Sequence, residues 1–462
     1  MRSTSLRWSA CLFLFTALAG ACGSNGDPSP SGSAAGASGR VGTAGAAPAT
    51  AGGGAIGAGA GAAGTPTSAG GGGAGGSANT TAGAAGAAGS PTGGAPTSTG
   101  GSGGASLSQW KYFKEVKLDT TPAGANVTAD VAKYPVVIGL RADNFDFAQA
   151  KADGTDIRFT TADGAALPYS IESWDAAAKL ATLWFKVDVK ANTTQTVLMS
   201  WGNAAATDAS DSHAVFDTKD GFLGVWHLAE PGSTSAGAYK DATATGADLT
   251  GLAVTADSVT SAGRLGKAVS LSHAKTQWLR LDGTKNAAFD EAKNVTYSIW
   301  TYAKSYGVQY QTPFSKGDNS WRMHMYGSSD WGENANKHIV EICAETNGGE
   351  DDCAIHPKPA DGSDVAPNKW WHWVAVINDP NLTLYLNGVL EMTIKSGNWK
   401  SDPQYPVGVG ANSQIGGRSW DGYLDEARVM GVSKDASWAK LEYESQREAQ
   451  KFSVLGSTQQ RP

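Results

Sequence analysis

Apolar and polar residues alternate along short segments from Trp110 onward, with the period of two that is typical of half-buried β-strands. Turn signals such as Asp163-Gly164 separate these segments. In the first part of this region the pattern predicts five strands, at residues 134–140, 156–160, 167–171, 180–187 and 196–201. Short strands with regular turns are typical of a β-sandwich, and we assign residues 106–215 to one such domain.

A second and longer β-rich region follows, which we assign to residues 216–455. Its clearest strand is 382–386, where leucines at alternate positions form one buried face and Asn387-Gly388 makes a tight turn. A late strand of the same domain covers residues 423–429. Large apolar residues among charged ones predict one short amphipathic helix within 435–451.

Residues 23–105 have a different composition, because they are almost entirely Ala, Gly, Ser, Thr and Pro. Such a segment has few large apolar side chains to bury, so nothing offsets the entropy lost on ordering its backbone. We expect a disordered linker with an r.m.s. span of roughly 50 Å, which acts as a spacer.

The first 22 residues predict an export signal. Arg2 and Arg7 precede an apolar stretch that is too short to span a membrane, and small residues lead to Cys22. The segment Leu18-Ala19-Gly20-Ala21-Cys22 resembles a bacterial lipobox, which implies that Cys22 is acylated. The alternative is ordinary signal-peptide cleavage that leaves a free thiol. By analogy with lipoprotein sorting, Gly23 favours the outer membrane, so we expect a lipid-anchored protein of the cell envelope or cell surface.

Two cysteines remain in the part that we expect to fold, Cys343 and Cys353. An even pair in an exported chain is typical of a disulfide. Asn347-Gly348 lies midway between them and predicts a hairpin turn. We therefore predict a Cys343–Cys353 disulfide across two strand ends, since no further Cys or nearby His completes a metal site.

The first β domain resembles a family known as domain of unknown function 2341. The motifs that carry the resemblance are Ala152 to Thr160, Leu167-Pro168-Tyr169, Ile171-Glu172-Ser173-Trp174-Asp175, Leu183-Trp184 and Trp201-Gly202-Asn203. That family has no agreed activity, so the resemblance implies a fold and no mechanism.

The second β domain resembles the laminin-G-like, concanavalin-A-like jelly roll. An ordered series of motifs carries this resemblance: Gly224 to Leu228, Gly263 to Lys267, Val295 to Trp300, Phe314 to Asp318, Trp370 to Ala375 and Trp420 to Val429. The expected fold class is therefore all-β, with two β-sandwich domains after a disordered Ala/Gly-rich tether. The second of them is expected to be a concanavalin-A-like jelly roll.

The sequence lacks the usual catalytic signatures. Glycosidases on the concanavalin-A-like fold place two carboxylates on one strand as Glu-x-Asp-x-x-Glu, and that string is absent. Glu341 and Glu345 would share one face of a strand and are the alternative pair. There is no Gly-x-Ser-x-Gly, no His-Glu-x-x-His and no phosphate loop. A net charge of −7 without a long basic run makes nucleic acid an unsuitable partner.

Tryptophans in polar, turn-rich segments predict a ligand site. Sugars stack on aromatic rings and pair their hydroxyls with polar side chains. The candidate ligand-binding residues are Trp321, Trp331, Trp399 and Trp420, together with Arg418. The alternative is that these tryptophans cover the ends of the sandwich.

Calcium is the usual cofactor of related jelly rolls, and it requires six or more oxygen ligands. Asp241, Asp318 and Asp421 are the candidate donors. The alternative for each is an aspartate that forms a turn.

The leading functional hypothesis is a surface-tethered, non-catalytic protein for carbohydrate binding or adhesion. The expected partners are a polysaccharide or other glycan, and the membrane through the lipid anchor. The first alternative is a polysaccharide-acting glycosidase or lyase on a concanavalin-A-like fold. The second is an envelope scaffold that binds other proteins.

Overall fold

A computed structural model describes residues 107–290, 293–326, 339–345, 351–356, 365–395, 397 and 399–462, and these residues belong to one compact unit. The predicted signal peptide 1–22 with Cys22 and the linker 23–105 lie outside the described residues. Trp331 and the turn at Asn347-Gly348 lie outside them as well.

Residues 112–215 of the first domain form six strands and one short α-helix. The strands are β1 (Tyr112–Asp119), β2 (Val131–Arg141), β3 (Arg158–Thr161), β4 (Tyr169–Asp175), β5 (Leu180–Val189) and β6 (Thr194–Trp201), and the helix is α1 (Ser212–Val215). The five predicted strands are thus confirmed as β2 to β6, with shifted ends. The sequence analysis did not identify β1, which pairs with β6 along its whole length.

Two antiparallel sheets enclose the first core. One sheet contains β2, β5 and β4, and the other has the order β1-β6-β3, with two further strands from near the end of the chain beside β1. Strand β2 shows why they pack: Val136, Ile138 and Leu140 alternate toward a core that also holds Leu183 and Phe185 of β5. The opposite face of the three-stranded sheet, which carries Gly139 and Arg141, is therefore directed away from this core.

The second domain continues with fifteen strands in two larger antiparallel sheets. They are β7 (Phe222–Trp226), β8 (Leu249–Leu252), β9 (Val259–Thr260), β10 (Ala268–Leu271), β11 (Trp278–Leu281), β12 (Asn294–Ala303), β13 (Gln311–Ser315), β14 (Trp321–Tyr326), β15 (Ile339–Glu345), β16 (Asp351–His356), β17 (Trp370–Asn378), β18 (Asn381–Leu386), β19 (Val389–Lys395), β20 (Gly408–Val409) and β21 (Gly422–Met430).

The sheet orders are β19-β18-β17-β12-β21-β10-β9, with β7 beside β21, and β16-β15-β14-β13-β20-β11-β8. Both sheets contribute alternate residues to one apolar cluster, including Ile299 of β12 and Met323 of β14. This arrangement confirms the all-β class and the second sandwich.

One helix, α2 (Ala436–Gln446), covers the outer face of the eight-stranded sheet. Asp435 caps it by accepting a hydrogen bond from the Trp438 amide. Outward residues of β12 reach the helix: Ser298 donates to Glu442 at 2.9 Å and Trp300 donates to Gln446 at 2.6 Å. The predicted helix is confirmed, but it ends at Gln446, before the predicted limit.

Two local predictions in the second domain are confirmed. Asn387 and Gly388 have φ angles of +48° and +73°, and they connect β18 to β19 as a two-residue turn. Cys343 of β15 lies directly opposite Cys353 of β16, and the two form a disulfide.

The chain returns to the first domain after α2. Strands β22 (Ser453–Leu455) and β23 (Gln459–Gln460) both pair with β1. Trp438 of α2 packs against Tyr134 of β2, with ring centroids 5.1 Å apart. The two sandwiches therefore share covalent, hydrogen-bonded and apolar connections, which hold their facing surfaces in place.

Among the described residues, none of the helices combines the length and the apolar character needed to cross a bilayer.

Candidate functional site

Three of the predicted ligand-binding tryptophans are core residues. Trp321, Trp399 and Trp420 are 1%, 2% and 0% exposed, so the expectation that they are exposed on loops is wrong. Trp321 opens β14 and packs on Tyr297, with centroids 4.5 Å apart, and Trp420 packs edge-on against Trp373. Each follows a polar turn in sequence but is directed between the two sheets.

The structure brings two other predicted residues together, as an ion pair. Arg418 donates to both carboxylate oxygens of Asp318, at 3.0 and 2.9 Å, and its guanidinium lies over the Tyr310 ring. Asn412 also donates to Asp318, and Arg322 approaches the same carboxylate at 3.3 Å. Asp318 is therefore neutralised by protein cations, which argues against its use as a calcium ligand.

The remaining two candidate calcium donors do not form a site either. Asp241 is buried and accepts four hydrogen bonds, from the amides of Val225, Thr243 and Ala247 and from the Thr243 hydroxyl. Asp421 accepts a hydrogen bond from the Lys304 amide through its backbone carbonyl. Among the described residues, the three aspartates belong to no cluster of three potential metal ligands. The carboxylates of Asp318 and Asp241 are therefore occupied by protein donors, and the calcium site stays a prediction.

The two carboxylates of the alternative catalytic pair have different partners. Glu341 hydrogen-bonds His324, whereas Glu345 pairs with Lys400 at 2.8 Å. A glycosidase instead directs both carboxylates at one glycosidic bond. Burial lowers the pKa of His324, so a neutral imidazole is favoured beside Glu341.

A cleft of about 930 Å³ lies where the two sandwiches meet. One wall, which we call the floor of the cleft, is the outer face of the three-stranded sheet. Gly139, Thr182 and Ser173 are in register there on β2, β5 and β4. The other wall comes from segments 227–230, 240–242 and 261–267 of the second domain. We refer to this feature as the junction cleft.

The lining of the junction cleft combines apolar side chains with hydroxyl groups and charged groups. The hydroxyl-bearing residues are Ser170, Ser173, Thr182, Ser210, Ser212 and Ser261, and the cationic ones are Arg141, Lys240, Arg264 and Lys267. Leu180 adds an exposed apolar side chain between Arg141 and Asp175, which are its partners on the neighbouring strands. Such a surface can donate hydrogen bonds to a polar ligand along its whole length.

A buried charge network lies beneath the cleft and joins the two domains. His227, which follows β7, contacts Glu426 of β21 at 2.8 Å and Glu172 of β4 at 3.5 Å. Trp184 of β5 donates its indole N–H to Glu172 at 2.7 Å and stacks on the imidazole. The network thus takes residues from both sandwiches.

Arg428 completes this network from the second domain. It donates to Glu426 at 2.7 Å and to Glu442 at 3.2 Å, and its guanidinium lies 4.8 Å from the Trp184 ring centre. The buried positive charges therefore have buried carboxylates within hydrogen-bond distance, as burial of ions requires.

The electrostatic balance assigns a proton to His227. Burial opposes the charged imidazole, but the Glu426 and Glu172 carboxylates outweigh it and raise the pKa of His227 to about 9. Burial raises the pKa of Glu172 to about 7. Burial also acts on Glu426, but His227 and Arg428 outweigh it and lower the pKa of that carboxyl.

These three residues could in principle hold a metal, because their ligand atoms lie within 4.8 Å of one another. The hydrogen bonds favour a protonated imidazole instead, since Glu426 already binds both His227 and the Arg428 guanidinium. A second cluster, at His324, Glu341 and Cys343, includes a sulfur that is bonded in the disulfide. Neither cluster is a convincing metal centre.

The junction cleft was not predictable from the sequence, although several of its residues lie within the motifs named above. His227 is a polar residue directly after the apolar segment Gly224 to Trp226. That signal points to a buried polar partner. It does not identify the partner, since His227 and Glu426 are 199 positions apart.

Comparisons with known families agree with both family resemblances. Residues 153–228 match the family described as Domain of unknown function (DUF2341). Residues 273–438 match the Concanavalin A-like lectin/glucanases superfamily. The predicted order of the two resemblances is therefore confirmed.

No curated protein matches the sequence. Among solved structures, the botulinum neurotoxin serotype D binding domain is similar at 14% identity and a TM-score of 0.35, over 49% of this chain and 52% of that chain. The protein thus covers about half of that structure. Domain 4 of AbnA, a GH43 extracellular arabinanase from Geobacillus stearothermophilus in complex with arabinotriose, is similar at 13% identity and a TM-score of 0.32. That similarity covers 49% of this chain and 98% of that one.

Proposed function

We propose that this protein is a surface-tethered carbohydrate-binding protein whose saccharide site is the junction cleft. The observation that carries the proposal is a cleft of about 930 Å³ lined by hydroxyls and charged groups from both sandwiches. Clefts of this size hold small ligands and oligosaccharide segments. The match of the second domain to a superfamily of lectins and glucanases favours a sugar as the ligand.

The rigidity of the cleft walls supports binding. The floor strands β2, β5 and β4 are hydrogen-bonded in register, and the buried network of Glu172, His227 and Glu426 connects the floor to the opposite wall. Preformed walls reduce the entropy that a ligand must lose on binding.

Binding rather than hydrolysis is the better-supported activity. The carboxylates proposed as a catalytic pair, Glu341 and Glu345, each have their own buried or half-buried cationic or imidazole partner. A glycosidase or lyase reaction would be detected as new reducing ends or unsaturated products in the same polysaccharide panel that tests binding.

The site proposal is tested by filling the floor of the cleft. Gly139 is exposed, its φ is not positive, and a Cβ there would meet only the Arg141 guanidinium, at 3.8 Å. We expect Gly139→Leu to weaken polysaccharide binding tenfold or more, about 1.4 kcal/mol. Affinity electrophoresis and calorimetry on the mature chain measure the effect, with calcium and with chelator.

The matched control is Gly416→Leu. Gly416 also has open space around its Cβ position and lies outside the cleft lining. Equal binding by both variants would refute the cleft as the site. If no polysaccharide binds and envelope proteins are instead captured through this surface, the scaffold function replaces the proposal.

We also propose that the protein is attached to the cell envelope through Cys22. The apolar stretch that leads to Leu18-Ala19-Gly20-Ala21-Cys22, followed by an Ala/Gly-rich segment, supports this attachment. We expect a clickable palmitate analogue to label the wild-type chain and not the Cys22→Ser variant, which should leave the membrane fraction. A labelled Cys22→Ser variant would exclude this anchor, and Cys11→Ser is the control because that cysteine lies inside the predicted signal.

A further inference from the structure

The exposed positive charge of the junction cleft identifies a class of ligand. We infer that the cleft binds an acidic polysaccharide whose anionic groups pair with Arg141 on one wall and Lys267 on the other. This inference rests on the proposed function, because it assumes that the cleft binds a glycan. It adds the chemistry that distinguishes the ligand from a neutral sugar.

Arg141 and Lys267 face the cleft from different domains. Arg141 ends β2 on the three-stranded floor, and Lys267 immediately precedes β10 in the second domain. Both residues are exposed, and within the described part of the chain neither side chain forms an ion pair or a hydrogen bond. Two such cations on one cleft are notable in a protein of net charge −7.

The two other cations of the cleft are already engaged. Lys240 forms an ion pair with Asp248 at 2.7 Å. Arg264 donates to the Gln446 carbonyl at 2.8 Å and lies over the Trp300 ring. These contacts fix Lys240 and Arg264 within the cleft wall. Arg141 and Lys267 are the two cations whose side chains can contact a ligand.

Three carboxylates of the cleft, Asp175, Glu230 and Asp241, each accept at least one hydrogen bond from a protein donor. Asp175 accepts the Ala178 amide at 2.8 Å, and Glu230 accepts the Lys240 amide at 2.8 Å. Asp241 accepts the four hydrogen bonds described above, so its oxygens are occupied.

The deepest carboxylate, Glu172, accepts the Trp184 indole and is buried. Its pKa, raised to about 7 by burial, reduces its negative charge at neutral pH. The repulsion that an anionic ligand would meet from the floor is correspondingly reduced.

This arrangement suits a carboxylated or sulfated polymer. A guanidinium presents a planar fork that matches carboxylate or sulfate, and an ammonium acts as a point charge for a second anionic group. The serine and threonine hydroxyls of the walls supply hydrogen bonds to the ring hydroxyls between the charges. Exposed charge pairs are screened by salt, so affinity should fall as ionic strength rises.

The experiment compares polymers that differ only in charge. Polygalacturonate is paired with its fully methyl-esterified form, and dextran sulfate with dextran, against the full mature chain. We expect each acidic polymer to bind at least tenfold more tightly than its neutral form, with the difference shrinking in high salt. The two pairs separate a preference for carboxylate from one for sulfate.

Charge-removing variants locate the effect. Arg141→Gln and Lys267→Gln are each expected to weaken binding of the preferred acidic polymer three- to tenfold, and the double variant more. Lys275→Gln is the control, because Lys275 is exposed and lies outside the cleft lining. Thermal melts verify that all variants are folded.

The possible outcomes test the acidic ligand, the polysaccharide class and the glycan site separately. Equal binding of charged and neutral polymers, sensitive to Gly139→Leu but not to the two charge variants, overturns the acidic ligand and leaves the glycan site intact. Equal binding of duplex DNA shows a general polyanion surface and overturns the polysaccharide class. No binding of any polymer refutes the proposed function and this inference together.

Discussion

At the scale of single residues, local sequence context was a poor guide to the burial of tryptophan. Trp321 follows the polar run Asp318-Asn319-Ser320, and Trp420 follows Arg418-Ser419. A strand commonly begins directly after a polar turn, so its first large residue can already lie in the core. Trp321 does so as the first residue of β14, and its indole packs against Tyr297 and Phe314.

The buried position of Trp420 leads to a prediction about stability. Trp420→Ala removes a large side chain that is 0% exposed, so we expect a loss of about 3–5 kcal/mol in the free energy of unfolding. Chemical denaturation measures the loss. Val389→Ala is the control, because Val389 is 42% exposed and its substitution should cost no more than about 0.5 kcal/mol.

Binding measurements distinguish a core role of Trp420 from the ligand-contact role that the sequence suggested. A Trp420→Ala variant that remains folded at low temperature should retain its affinity for polysaccharide. A variant with unchanged stability and lost binding would restore Trp420 as a ligand contact.

At the scale of secondary structure, strands were predictable where one face is buried and the other polar. The alternating leucines of 382–386 predicted β18, and Asn387-Gly388 predicted the turn that follows it. Strand β12 is different because both faces are covered, by the core on one side and by α2 on the other. Its sequence still alternates from Val295 to Ile299, but the outward residues Thr296 and Ser298 are buried too, and only the family resemblance indicated the place of this strand.

Pairing between elements was not predictable from local pattern. Strand β1 pairs with β22, more than 300 positions later in the printed numbering, and β21 lies between β12 and β10. Period-two alternation states which face of a strand is buried but carries no information about its neighbour. The disulfide was the exception, since the two cysteines are close in sequence and the chain between them is short.

At the scale of the whole molecule, the two sandwiches act as one unit because buried charges connect them. Glu172 and Trp184 belong to the first domain, and His227, Glu426 and Arg428 to the second. Removing one member of such a network leaves its partner charge buried without compensation, which is strongly destabilising. The same network holds the cleft walls at a fixed separation.

This network predicts a dependence of stability on pH. The folded pKa of His227, about 9, exceeds its unfolded value of 6.5, so its contribution is fully present below pH 6.5 and is lost as the pH rises through 9. The shift corresponds to about 3 kcal/mol over that window. Glu172 acts in the same direction at lower pH, because its folded pKa of about 7 also lies above the unfolded value of 4.5.

Unfolding free energies measured between pH 6 and 10 test this prediction. The wild type should lose stability toward alkaline pH, and His227→Gln should show a flatter profile because it has no imidazole proton to release. His213→Gln is the control, since His213 is an exposed residue of α1. Parallel profiles for the wild type and His227→Gln would show that this proton does not link the domains.

The sequence by itself determined the class of fold, the order of the two β domains, the tight turn at Asn387-Gly388 and the Cys343–Cys353 disulfide. These depend on residue periodicity, turn chemistry and short-range covalent geometry, which are local properties of the chain. Only the tertiary structure decided that Trp321, Trp399 and Trp420 are buried and that a cleft lies between the sandwiches. Burial and cleft formation depend on which distant surfaces pack together, and residues such as Glu172 and His227 acquire their environment only when that packing is complete.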